Sequence, residues 1–201
     1  MRSSGWSVDL HEFRDKTPFG VKTFTNVIAT LNPDAPRRMV IACHYDSKID
    51  PPGFLAATDS AVPCAMMMNL AKTMKQELRR QKSNNQELTL QFLFLDGEEA
   101  FKRWTSTDSI YGARALAADW EKKSYSSGGV RGNHLDRIDM FVLLDLLGAR
   151  DMSLVKLEST TGDWFDNLVR IEQSLNQRRI ISGPPIFNVG EIILKNISLH
   201  A

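Results

Sequence analysis

The sequence predicts an α/β fold with a mostly parallel central sheet flanked by helices. Three observations predict it. Short apolar runs with strand character alternate with longer segments of helical periodicity. One of those runs, Leu88–Leu95, passes from alternating to continuous apolar character, and another, Ile138–Leu147, reads as a buried strand. Acidic or imidazole groups follow three of the runs: His44-Tyr45-Asp46, Asp96-Gly97-Glu98-Glu99 and Asp145. In open sheets of this kind, ligand sites lie beyond the carboxyl ends of the strands.

The elements follow in chain order. Trp6, Val8 and Leu10 alternate with polar residues, so 6–13 reads as a half-buried strand. Thr17-Pro18-Phe19-Gly20 is a turn, and 21–31, rich in Val, Ile, Phe and Thr, is a second strand. Residues 38–44 carry Met-Val-Ile-Ala, a short buried strand, and 46–59, with paired prolines and a glycine, form a loop. From Ser60 to about Arg80, apolar residues recur at three- and four-residue spacing. Pro63 suits the first turn of this helix, and basic residues gather at its end. Residues 82–87 are polar linker, 88–95 a strand, 96–107 a loop and 109–122 a second helix. The segment 124–133, with three glycines, reads as flexible, 138–147 as a third buried strand and 164–178 as a third helix.

Composition narrows the function classes. Twenty-five Lys+Arg against 24 Asp+Glu leave a net charge of +1, which argues against a general nucleic-acid binder or an anionic-membrane binder. No apolar run approaches the roughly 20 residues of a membrane-spanning helix. Two cysteines, Cys43 and Cys64, are too few for a disulfide scaffold and by themselves read as buried thiols.

The candidate chemistry rests on the strand exits. Neighbouring side chains on extended backbone diverge, so Glu98 and Glu99 are expected to meet different partners, one a metal and the other protons. A solvated acidic turn would give the same doublet. Asp59 serves equally as a helix cap, and His44 as a hydrogen-bonded structural histidine. Asp145 interrupts Phe-Val-Leu-Leu-Asp-Leu-Leu and needs a partner or a metal. Taken together, carboxylates and imidazole converging on one sheet edge suit Zn²⁺ and metal-assisted amide chemistry.

Five strings carry a family resemblance: Ile41-Ala42-Cys43-His44-Tyr45-Asp46-Ser47-Lys48, Ala57 through Met67, Phe94-Leu95-Asp96-Gly97-Glu98-Glu99-Ala100-Phe101, Asp108-Ser109-Ile110-Tyr111-Gly112, and Leu143 through Ala149. Over about residues 6–149 the chain resembles the animal glutaminyl-peptide cyclotransferases. The resemblance implies a zinc-aminopeptidase-like (phosphorylase/hydrolase-like) fold, one catalytic zinc ion, and conversion of N-terminal glutamine, more slowly glutamate, to pyroglutamate. It implies Asp59 and Glu99 as metal ligands, Glu98 as general acid/base, and Asp145 as an acid hydrogen-bonded to that glutamate. Trp104 would be an aromatic beside the substrate, although composition alone suits simple packing. Cys43 and Cys64 would form a disulfide, and with it a secretory location. The partners would be peptides with N-terminal Gln or Glu, met by a monomer.

The resemblance also sets departures. The family's third zinc ligand is a histidine after a tryptophan, and here histidines stand only at 11, 44, 134 and 200, none after a tryptophan. Residues from about 181 to 201, including the sequon Asn196-Ile197-Ser198, match nothing in the family. The chain therefore reads as a single catalytic domain, partial at both ends, of poor stability and weak activity. Two other readings stay open: a two-metal zinc aminopeptidase with His44 and Asp145 as added ligands and Asp59 bridging, and a non-catalytic product.

Overall fold

The computed structural model describes residues 1–156 and 161–188. The chain divides into two compact units, Met1–Gly148 and Ala149–Ala201. His200 and the sequon lie outside the described residues.

The first unit is built on a five-stranded sheet. Its strands are β1 (Ser7–Thr17), β2 (Gly20–Thr30), β3 (Arg37–His44), β4 (Leu88–Leu95) and, last in the chain, Ile138–Leu143; between them come helices α1 (Val62–Thr73), α2 (Lys75–Asn84) and α3 (Tyr111–Lys122). A hairpin of β5 (Ser124–Ser127) and β6 (Val130–Asn133) precedes the last sheet strand, which is β7. The spatial order is β1-β2-β4-β3-β7. β1 and β2 pair antiparallel across Pro18-Phe19, because a two-residue link cannot make a parallel crossover. β2 runs antiparallel to β4, while β4, β3 and β7 run parallel. Four of the five strands thus point one way and β2 alone opposes them, which gives the expected mostly parallel direction.

Each sheet face carries its own core, set by the two-residue period of the strands. Cys43 and Phe92 face Cys64, Met67, Ala71 and Leu78 of α1 and α2, together with Trp6. Val40, Ala42, Leu93 and Leu95 face Leu116 and Trp120 of α3. At the start of α3, a Cβ on Gly112 would stand 2.2 Å from the Asp96 carbonyl oxygen, so only glycine lets the helix approach β4 this closely.

Three elements differ from the sequence reading. The single helix expected over 60–80 is two: Met74 (φ −92°, ψ 20°) separates α1 from α2, beside Thr73, whose hydroxyl donates to the Asn69 carbonyl and so bends the last turn. The flexible segment 124–133 is a hairpin, with Gly128 and Gly129 both at positive φ in its turn, a conformation glycine adopts freely. The Arg137 guanidinium lies 3.9 Å from the Tyr125 ring centroid and donates to the Pro36 and Ala35 carbonyls, which secures the hairpin's first strand. The buried strand expected over 138–147 ends at Leu143 and is an edge strand with alternate residues exposed, since β3 is its one sheet neighbour among the described residues.

In the second unit, helix α4 (Gly162–Gln177) accompanies a two-stranded parallel pair, β8 (Leu154–Val155) with β9 (Phe187–Asn188). The Glu172 carboxylate accepts the backbone N–H groups of Ile186 and Phe187, tying the helix to β9.

Candidate active site

The parallel strands β4, β3 and β7 end at one edge of the sheet, and each exit delivers chemistry there. His44 is the last residue of β3, in the middle; Glu98 and Glu99 follow β4 on one side, and Asp145 follows β7 on the other. Asp59 comes from the segment just before α1. It caps no helix: the residue at the α1 cap is Ala61 and makes no side-chain capping bond.

His44 is the hub, 2% exposed. Its Nε2 lies 3.0 Å from Asp59 Oδ1 and 3.5 Å from Asp145 Oδ1, and its Nδ1 lies 3.4 Å from Asp46 Oδ1. Burial pulls its pKa down, but Asp46, Glu98 and Asp59 outweigh burial and push it up to about 9. Lys48 Nζ stands 3.1 Å from Asp59 Oδ2 and 3.3 Å from Glu99 Oε1.

The two glutamates are positioned by backbone. Asp46 accepts the N–H groups of both Glu98 and Glu99, each at 3.0 Å. Behind them, the turn after β4 is closed by Ile110 N–H on the Glu98 carbonyl, Tyr111 N–H on Gly97 and Gly112 N–H on Asp96. Buried Asn26 accepts the Asp96 N–H and donates to the Gly112 carbonyl. The two glutamates share His44 as a neighbour and differ in part in the others: Glu98 is influenced by Glu99, Asp145 and Asp46, and Glu99 by Asp59 and Lys48. Burial, followed by the neighbouring carboxylates and against the pull of His44, pushes the Glu98 carboxyl up to about 7. Burial and Asp59 also raise Glu99, against Lys48.

Asp145 sits just past the end of β7 with 31% of its side chain exposed, so it is half-buried and not the enclosed acid of the sequence reading. Its Oδ1 accepts from the Ser60 hydroxyl at 2.7 Å and from the Leu146 N–H at 2.8 Å. Trp104 lies on the loop after Glu99 and is exposed. The structure carries Cys43 and Cys64 as free thiols with Sγ atoms 2.9 Å apart, longer than the ~2.05 Å of a disulfide. The expected bridge is therefore a contact here, and Cys64 donates to the His44 carbonyl.

The donor set suits a divalent cation. His44, Glu98 and Glu99 offer ligand atoms within 4.8 Å of one another, as do His44, Asp59 and Asp145. Among the described residues, the five carboxyl groups of Asp46, Asp59, Glu98, Glu99 and Asp145 are gathered around two basic side chains, His44 and Lys48, leaving excess negative charge. Glu99 Oε1 is buried and accepts no well-directed hydrogen bond. Oxygen and nitrogen donors of this kind fit zinc. Among the described residues, His44 is the histidine of both clusters.

The sequence reading names Asp59, Glu98, Glu99, Asp145 and His44, and all five meet at this edge. It assigns no role to Asp46 or Lys48, although both lie within the string that carries the resemblance.

The profile of peptidase family M28 matches residues 26–182. The chain belongs to peptidase family M28. It is 44% identical over 188 residues to a glutaminyl-peptide cyclotransferase of Boiga irregularis, covering 89% of this chain and 51% of that protein. It is 45% identical over 183 residues to a glutaminyl-peptide cyclotransferase of Drosophila melanogaster, covering 90% and 49%. The chain thus spans about half the length of these relatives. The solved Macrostomum lignano glutaminyl cyclase superposes with a TM-score of 0.80 at 39% identity, over 93% of this chain and 58% of that one. A Zn-dependent exopeptidase of Parabacteroides distasonis (TM-score 0.64, 15% identity, covering 90% and 63%) shares the fold. Within this M28 chain, no described helix is long and apolar enough to cross a membrane.

Proposed function

We propose that this chain carries the glutamate-bearing part of a glutaminyl cyclase site. The reaction closes the α-amine of an N-terminal glutamine onto its own γ-carboxamide: the nitrogen–carbon bond of the ring forms, the carbon–nitrogen bond of the amide breaks, and ammonia leaves. N-terminal glutamate would react more slowly, with water leaving. The observation that carries the reading is the Glu98–Glu99 doublet, fixed by Asp46 over an excess of carboxylates at the sheet edge.

One zinc ion, held by Asp59 and Glu99, would polarise the γ-carbonyl and favour negative charge on its oxygen. Glu98 takes the proton that the attacking amine sheds and delivers it to the departing nitrogen. A carboxyl lifted to about 7 suits both halves of that transfer at neutral pH. Asp145, anchored by Ser60, keeps negative charge beside Glu98 and so supports its raised affinity for the proton. Trp104 would offer an apolar wall to the substrate. Catalysis belongs in the secretory pathway, where Cys43 and Cys64 would join; resistance of both thiols to alkylation until a reductant is added checks this. The working form would be a monomer.

A second reading is favoured by one contact set. His44 Nε2 beside both Asp59 and Asp145 outlines another cation position, with Asp59 shared, as in a two-metal aminopeptidase.

Mass spectrometry of a peptide with N-terminal glutamine, incubated with the purified chain, separates the readings. The cyclase reading expects slow loss of one ammonia, abolished by chelator and restored by zinc, with one metal ion per chain. Release of the first amino acid with two metal ions per chain supports the aminopeptidase, and a folded chain that binds no zinc overturns both.

A further inference from the structure

The Lys48 ammonium lies between the two carboxylates that the proposed function gives to zinc, 3.1 Å from Asp59 Oδ2 and 3.3 Å from Glu99 Oε1. One carboxylate comes from the segment before α1 and the other from the exit of β4, so a single side chain spans both walls of the site. The three partners differ in exposure. The side chains of Asp59 and Glu99 are 13% and 5% exposed, while that of Lys48 is 44% exposed. The carboxylates are fixed by the fold, and the cation reaches in from the solvent side on a flexible four-carbon stem.

We infer that Lys48 is a tethered counter-cation of the metal-free site, which holds Asp59 and Glu99 together and must swing out to solvent when a divalent ion enters. Two carboxylates this well enclosed repel each other when nothing positive stands between them. The ammonium relieves that repulsion with one charge; a divalent ion relieves it with two and binds both oxygens directly. A metal ion bound through Asp59 Oδ2 and Glu99 Oε1 would compete with the lysine nitrogen for the same two oxygens. Once displaced, the lysine loses little, since nearly half of it is already in water. Phe54, whose ring centroid is 5.7 Å from Nζ, offers a resting surface close by. The lysine therefore sets a threshold for metal loading and keeps the unloaded site assembled.

The inference rests on the reading of Asp59 and Glu99 as metal ligands, and the test separates the two. Zn²⁺ affinity is measured by competition with a chromophoric chelator for the wild-type chain, Lys48→Met, Lys48→Arg and Glu99→Gln. Thermal midpoints are recorded in excess chelator. Because a partly exposed ion pair is a weak competitor, Lys48→Met is expected to bind zinc about three- to tenfold more tightly than wild type. It is also expected to melt at a lower temperature in chelator, with the deficit removed by zinc. Lys48→Arg, which keeps the charge, should stay near wild type. Chemical labelling of the Lys48 amine should speed up when zinc is added. If Lys48→Met binds zinc no more tightly than wild type while Glu99→Gln weakens binding, the metal position stands and the role of Lys48 is overturned. If Glu99→Gln leaves affinity unchanged, the metal position is wrong and the inference falls with it.

Discussion

Asp46 decides where the Glu98 and Glu99 carboxyls stand. Its two oxygens accept the N–H groups of Glu98 and Glu99, so one side chain at the exit of β3 fixes the backbone at the exit of β4. Burial pushes the Asp46 carboxyl up, but the His44 imidazole and these two amides outweigh burial and hold it below the ordinary aspartate range. Asp46→Ala leaves two amides unpaired in a partly buried turn, and a cost of about 2–4 kcal/mol in urea unfolding is expected. On the proposed function, chelator-sensitive cyclisation should fall more than about tenfold, because small displacements of a reacting group are costly. Asp46→Asn keeps one good acceptor and should lie between. The histidine and the acids of the site are legible as residues that follow apolar strands. Asp46 is legible as a position and not as a role, because its partners are main-chain amides about fifty residues away, and no side-chain pattern marks such a bond.

The loop between β4 and α3 shows the same device at the scale of an element. Asp108 Oδ1 accepts from the Phe101 N–H and the Tyr111 hydroxyl, and Oδ2 accepts from the Lys102 and Arg103 N–H groups. This clamp shapes the turn that presents Trp104. Burial raises the Asp108 carboxyl, yet the amides and the hydroxyl prevail and its pKa is lowered. An acid whose folded pKa lies below its unfolded one stabilises the fold above the unfolded pKa, and that contribution is lost as pH falls through the folded one. The wild-type thermal midpoint should therefore drop below about pH 4. Asp108→Asn should begin lower at neutral pH and show a shallower fall over the same window. The loop itself is readable from its polar composition. The β5–β6 hairpin is not, since Ser-Tyr-Ser-Ser has almost no apolar alternation and owes its place to the Arg137 guanidinium against Tyr125. Such a stabilising partner comes from elsewhere in the chain, beyond the reach of local periodicity.

Across the first unit, the sheet is readable because its inner strands are apolar on both faces, and the helices because α1 and α3 each line one of the two cores. The edge is not readable. The apolar run from Ile138 to Leu147, broken only by Asp139 and Asp145, suggests burial, yet Phe141 and Leu143 are exposed on β7. An apolar edge strand is a template for pairing with another chain. Leu143→Lys is expected to lower light scattering in concentrated solution while shifting unfolding by no more than about 0.5 kcal/mol.

The pairing of β3 with β4 runs without a break from Arg37 opposite Leu88 to His44 opposite Leu95. Asp46 can reach both glutamates only while those two strands end level. A residue inserted into one strand and not the other would carry its exit about 3.3 Å past the other and turn its side chains to the opposite face. The lengths of β3 and β4 are therefore locked together, and a descendant of this sequence that extends one must extend the other by the same count to keep its carboxylates in place.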